Sequence, residues 1–209
     1  MPMDARLYSP SAARNRDPIL ATLRRHLPPR GLVLEVASGS GEHALHLAAA
    51  LPNLTFQPSD ANPEARASIA AWILASGLPN IRPPLALDAA TPEWPIGRAE
   101  MVLCINMIHI APWAACEGLV AGAARVLRPG GQLALYGPFK RAGRHTGPGN
   151  ANFDADLRAR DPAWGLRDLE AVAQLAADHG FGPPTVEAMP ADNLTVLFRL
   201  ERDLQGTRE

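Results

Sequence analysis

The chain has 209 residues, 47% apolar and 20% charged, with a formal net charge of −1, a balance that suits a globular core and excludes a collagenous, low-complexity or disordered chain. The near-neutral charge supplies no overall basic field, so no nucleic-acid partner is expected without a local patch. Cys104 and Cys116 have no CxxC partner and read as reduced buried thiols, and no residue cluster has metal-ligand spacing. The N-terminus shows no basic-then-apolar leader, and the most apolar stretch, 101–116, is broken by Asn106, His109 and Pro112, which makes it too short to span a bilayer. A cytoplasmic protein is expected.

In chain order, residues 1–18 form a polar, Arg-rich arm, expected to cover the cofactor site, and 19–26 a short helix stopped by Pro28-Pro29. Residues 31–36 read as a buried strand, followed by a helix with Ala44, Leu45, Ala48 and Leu51 on one face. A second strand spans 54–59, and Asn62-Pro63 opens a helix that Gly77 closes. A weak third strand at 81–87 is interrupted by Pro83-Pro84, and 101–105 is a strongly apolar fourth. A helix over 112–127, a tight turn at Arg128-Pro129-Gly130-Gly131 and a fifth strand at 132–136 come next. Residues 137–164 are polar and Gly-rich, which predicts a long loop over the site. A helix over 166–179, two strands at 185–189 and 193–200, and a frayed tail from about Asp203 complete the chain. Alternating strands and helices predict an α/β, Rossmann-like three-layer sandwich, with a mostly parallel sheet and an antiparallel terminal hairpin, in a single domain.

The first strand runs into Glu35-Val36-Ala37-Ser38-Gly39-Ser40-Gly41, and a helix follows. Gly39 and Gly41 let the backbone turn sharply and approach a ligand, as in nucleotide sites. Glu35 is more selective. A dinucleotide puts its pyrophosphate at the following helix N-terminus, where a carboxylate repels it. S-adenosylmethionine has no phosphate and carries an ammonium and a sulfonium, which a carboxylate attracts. Otherwise Glu35 caps or pairs with an arginine. Asp60 ends the second strand 19 residues past Gly41, the place of a ribose-binding acid, or else it caps the helix at Asn62. Asp88, after Leu87 at the third strand's end, either accepts from an adenine amino group or is a turn residue. Asn106 and His109 follow the fourth strand. Asn106 is expected to hold either the methionine part of the cofactor or a substrate, and His109 is either a general base or a satisfied core histidine.

These residues resemble the class I S-adenosylmethionine-dependent methyltransferases. More closely, the chain resembles the poorly characterised domain-of-unknown-function family 938. The likeness runs through Arg14-Asn15-Arg16-Asp17-Pro18-Ile19, the Glu35–Gly41 turn, Gln57-Pro58-Ser59-Asp60, Leu103-Cys104-Ile105-Asn106-Met107, Tyr136-Gly137-Pro138-Phe139, Asn152-Phe153-Asp154, 161–168 and 189–193. It implies a seven-stranded sheet with an antiparallel last strand. It also implies that Glu35, Ala37, Gly39 and Gly41 cradle the methionine part, that Asp60 holds the ribose, that Leu87 and Asp88 flank the adenine, and that Asn106 lies near the methyl donor. Ala37 stands where the superfamily often has glycine, which predicts a slightly wider turn.

The expected activity is methyl transfer to a small-molecule acceptor by in-line displacement, with His109 and then Tyr136 as candidate bases, or with no base at all. Lys140, Arg144 and Arg158, with Asn152 and with Arg14 and Asn15 of the arm, are the expected substrate contacts, and their charge points to an anionic acceptor. Two rival readings stay open: a non-catalytic S-adenosylmethionine sensor, and an NAD-dependent oxidoreductase suggested by Gly39-x-Gly41-x-x-Ala44. Monomer and homodimer also stay open.

Overall fold

The computed structural model describes residues 4–201, and the tail expected from Asp203 lies outside them. Helix α1 (Pro10–Leu23) precedes strand β1 (Gly31–Val36), α2 (Glu42–Ala50), β2 (Leu54–Asp60), α3 (Pro63–Ser76) and the two-residue β3 (Leu85–Ala86). Then come β4 (Ala99–Ile105), a 3₁₀ turn at Met107–His109, α4 (Trp113–Val126) and β5 (Leu127–Pro138). A small ribbon, β6 (Lys140–Arg141) and β7 (Arg144–His145), leads to α5 (Pro148–Arg160), α6 (Leu169–Asp178), β8 (Thr185–Met189) and β9 (Asn193–Arg199). Seven strands form one sheet in the order β3-β2-β1-β4-β5-β9-β8, in which β9 pairs antiparallel with both neighbours. The order reverses between β1 and β4, so the C-terminal ends of these strands open a crevice for a ligand.

Both sheet faces are covered, which is why β1 and β4 are mostly apolar, with Glu35 the exception in the buried part of β1. On one face Leu34, Val36, Val102, Cys104, Leu133 and Leu135 pack against α4 and α6. On the other, Val33, Met101, Leu103, Ile105 and Tyr136 pack under α1 and α2. Glu35 follows Val33 by two residues and therefore faces α1 and α2. Among the described residues no helix is long and apolar enough to cross a membrane.

Four expectations change. The helix expected at 19–26 begins at Pro10, because Ser9 caps it by accepting from Ala12 N and Pro10 fits the first turn. It continues through Pro18, which removes one helical hydrogen bond but not the buried contacts of Ile19 and Leu23. The third strand shrinks to Leu85–Ala86, with one bridge from Ile81 to Phe56, since Pro83-Pro84 supply no donors. The 128–131 turn is a bulge within β5, where pairing jumps from Ala99↔Leu127 to Met101↔Gln132 and Gly130 takes φ 84°. The 137–164 loop contains the β6–β7 ribbon and the thirteen-residue α5.

Candidate active site

The turn after β1 holds three left-handed residues, Ala37 (φ 57°), Gly39 (φ 56°) and Gly41 (φ 92°). Ala37 keeps the conformation a glycine would adopt, so its methyl enters as local strain of about 1 kcal/mol, in place of the wider turn expected. The two glycines serve different ends. A Cβ on Gly39 would meet nothing within 4 Å, so this residue faces open space. A Cβ on Gly41 would lie 3.0 Å from Ile69, so Gly41 lets α3 pack against the start of α2.

Glu35 is 2% exposed, and its Oε2 has no hydrogen-bond partner. Burial pushes its pKa up to about 8, Ser38 opposes the rise and the charge of Asp60 adds to it. A buried carboxylate oxygen without a donor is costly and is complemented by a cation or a proton. Asp60 sits at the end of the neighbouring strand. Its Oδ2 accepts from Gly39 N and its Oδ1 from Asn62 N, both at 2.9 Å. Asn62 caps α3 by accepting from Glu64 N, so Asp60 is free of that duty and braces the Gly-rich turn.

Asp60 lines a cavity of about 380 Å³ walled by Val36, Ala37, Leu87 and Met107. Asp88 is on its rim, exposed, where its Oδ1 closes a local turn by accepting from Ala90 N. Asn106 holds φ 63°, and its N–H donates to Tyr136 O at 2.8 Å. This places its side chain in a second cavity of about 670 Å³, shared with Arg14, Asn15, Tyr136, Asn150 and Phe153. Met107 lines the smaller cavity and Asn106 the larger, so the two adjoin at the end of β4.

The structure does not bring all the candidate residues together. His109 is fully buried, lines neither cavity and packs edge-on against Phe139. Burial drives its pKa down to about 3, so the ring is neutral and a poor base. Its Nδ1 accepts from Arg167 N at 3.4 Å. Tyr136 does line the larger cavity, but burial raises its pKa, with Asn15 opposing, so it keeps its proton at neutral pH. Lys140, Arg144, Asn152 and Arg158 do not line either cavity. Arg144 and Asn152 are exposed, Lys140 N bonds Arg167 O, and Arg158 Nε donates to Asp154. These positions were expected in a loop. Lys140 and Arg144 are carried on the β6–β7 ribbon, and α5 turns Asn152 and Arg158 away from the cavity and presents Asn150 and Phe153 instead.

Asp154 organises that segment. Its carboxylate accepts from His145 Nε2 at 2.9 Å, Arg158 Nε at 3.2 Å and Leu166 N at 2.7 Å. Burial works to raise its pKa, but these donors together lower it. Asn150 Nδ2 donates to Thr146 Oγ1 and to Asp192 O, which ties α5 to the β8–β9 turn beside the cavity. Sequence reasoning missed His43, Ile110 and Phe153. Ile110 and Phe153 carry one signal, apolar side chains left 43% and 41% exposed at the cavity. His43 is a helical residue with no such signal.

Solved structures share this fold. They include an O-methyltransferase family protein from Burkholderia thailandensis (TM-score 0.78, 18% identity, 91% of this chain and 57% of that one). The S-adenosylmethionine-dependent methyltransferase SibL, in its apo form, matches with TM-score 0.77 and 23% identity over 92% of this chain and 56% of that one. Human N-acetylserotonin methyltransferase in complex with SAM matches with TM-score 0.73 and 14% identity over 92% and 53%. The chain thus spans little more than half the length of these proteins, and at such identities the likeness is one of fold. A family model described as a protein of unknown function (DUF938) matches residues 6–200, and the chain belongs to that family.

Proposed function

We propose that this protein transfers a methyl group from S-adenosylmethionine to a small-molecule acceptor. The observation that carries this reading is Glu35, a buried carboxylate with an unpartnered oxygen beside a left-handed Gly-rich turn. An α-ammonium group supplies the cation and the donors that this oxygen lacks. Asp60 retains lone pairs beyond its two backbone bonds and suits ribose hydroxyls, and the apolar walls of the smaller cavity suit an adenine ring. Two acids so near the N-terminus of α2 disfavour a pyrophosphate, which speaks against the dinucleotide alternative.

The cofactor, when bound, supplies an electrophilic methyl carbon and departs as a neutral thioether. The chain's part is to hold the acceptor in line with that carbon and to exclude water. Asn106 stands where the two cavities adjoin, its backbone held to β5. No His, Asp, Glu, Lys or Cys lines the larger cavity among the described residues, so alignment, without a general base, carries the acceleration.

Calorimetry with S-adenosylhomocysteine and with NAD tests the cofactor, and methyl transfer from labelled S-adenosylmethionine to a panel of small acceptors tests the activity. Tight S-adenosylhomocysteine binding is expected. NAD binding without it refutes the proposal.

A further inference from the structure

The polar wall of the larger cavity has a set hydrogen-bond direction. His43 on α2 lies 2.8 Å from Asn15 Oδ1 through its Nε2. Burial pushes the pKa of His43 down to about 4, so the ring is neutral and its single N–H is the one given to Asn15. The Asn15 carboxamide is thereby oriented with its oxygen toward α2 and its nitrogen the other way, and Asn15 acts on the Tyr136 phenol in the sense of a donor, opposing the rise that burial gives its pKa. A phenol oxygen that accepts from an amide keeps its own O–H to donate, and Tyr136 lines the cavity.

Arg14 is the one cation that lines this cavity among the described residues. It follows from the same turn of α1, lines the same cavity, is exposed, and has no hydrogen bond or ion pair among the described residues. No acidic side chain lines this cavity among the described residues. The amide nitrogen of Asn150 is already committed to Thr146 and Asp192. The only charged group that faces the space among the described residues is therefore the Arg14 guanidinium, beside the Tyr136 hydroxyl and the neutral Ser11, Asn106 and Asn193, and the apolar Ile110 and Phe153 flank them.

We infer that the acceptor molecule is a small apolar carboxylate, whose anionic group is read by Arg14 and the Tyr136 hydroxyl, with His43 and Asn15 as positioning residues that fix the hydroxyl as a donor. One cation matches a monoanion better than a phosphate dianion. The apolar body rests between Ile110 and Phe153. This deepens the methyl-transfer reading and rests on it.

The test uses the full chain saturated with S-adenosylhomocysteine, titrated calorimetrically with benzoate and hexanoate and with their neutral isosteres benzamide and hexanamide. The carboxylates are expected to bind about tenfold or more tighter than the amides, the range for a charge-assisted contact. Arg14→Gln should abolish that preference and Tyr136→Phe should reduce it several-fold. Asn15→Asp accepts from both His43 and Tyr136, takes the hydroxyl proton away from the cavity, and should abolish the preference as well. A merely structural role for Asn15 would not change the ratio of acid to amide. Equal affinity for acids and amides, an unchanged preference in Arg14→Gln, or no carboxylate binding to the S-adenosylhomocysteine-loaded chain overturns the inference. Failure to bind S-adenosylhomocysteine in the first place overturns the parent reading instead.

Discussion

Glu35→Gln separates an electrostatic role of this residue from a packing role, because a buried carboxyl with a pKa of about 8 couples cofactor binding to a proton. At pH 7 about nine in ten unliganded molecules hold Glu35 neutral. An ammonium group at Oε2 requires the carboxylate, so binding expels close to one proton. The affinity for S-adenosylhomocysteine should then rise about twentyfold between pH 6 and 7.5, below the range in which the ligand's own amine titrates. Calorimetry in two buffers of different ionisation enthalpy counts the proton directly. Glu35→Gln should bind about ten- to a hundredfold more weakly at pH 7.5, without pH dependence and without proton release. The unliganded protein gives an independent check. The folded pKa lies above the ordinary 4.5, so the native state holds the extra proton and stability falls as pH rises from 4.5 toward about 8. At about 1.4 kcal/mol per unit the full window is worth roughly 5 kcal/mol, and Glu35→Gln should flatten it. His43 and His109, depressed to about 4 and about 3, contribute the opposite slope below the ordinary histidine value, but equally in both proteins, so the difference between wild type and Glu35→Gln isolates the Glu35 contribution. A wild-type affinity that is constant from pH 6 to 7.5, with buffer-independent heats, refutes the reasoning.

Three further outcomes are expected. Gly39→Ala should cost only about 1 kcal/mol of stability yet weaken S-adenosylhomocysteine at least tenfold, whereas Gly41→Ala, crowding Ile69, should cost about 2–3 kcal/mol; urea unfolding beside calorimetry checks the contrast, and the reverse order contradicts it. His109→Leu should leave S-adenosylhomocysteine affinity unchanged and stability within about 1–2 kcal/mol, since it removes a buried nitrogen that has no partner; loss of turnover with intact binding and fold would restore His109 as a base. Asp154→Ala should cost about 2–3 kcal/mol at neutral pH by stranding His145, Arg158 and Leu166 N. Because the folded pKa of Asp154 is depressed, the cost should persist above pH 4 and vanish as pH falls through the folded value, which acid titration of urea midpoints would show.

The central sheet was legible because its information is local. Val33, Leu34 and Val36 in β1 and Met101 to Ile105 in β4 put apolar side chains on both faces, and Asn62, Pro63 and Gly77 mark their helix with local caps. Glu35 and Asp60 could be singled out for a related reason, since both stand at strand ends beside a Gly-rich turn. The start of α1 was not, because Pro18 argues for a boundary that the burial of Ala12, Ile19 and Leu23 overrides.

The α5 segment shows where such reading stops. Its buried positions are Asn150, Asp154 and Leu157, spaced i, i+4 and i+7 as a helix requires. Two of the three are polar, so a search for apolar periodicity finds no stripe and assigns a loop. Asn150 and Asp154 can be buried because distant groups satisfy them, Asp192 O for one and Leu166 N and His145 for the other. Those partners are fixed only once β8 and β9 have brought their turn beside β5. The same dependence governs the larger cavity. Arg144 and Arg158 draw attention in the sequence because they are charged, but their direction is set by the β6–β7 ribbon for one and by the register of α5 for the other. Arg14 faces the cavity because α1 lies across the same sheet face as Tyr136. For charged residues, identity is written locally but direction is tertiary. The wall of the smaller cavity, built on strand ends, could therefore be read in advance, and that of the larger cavity, built between α1, α5 and the β8–β9 turn, could not.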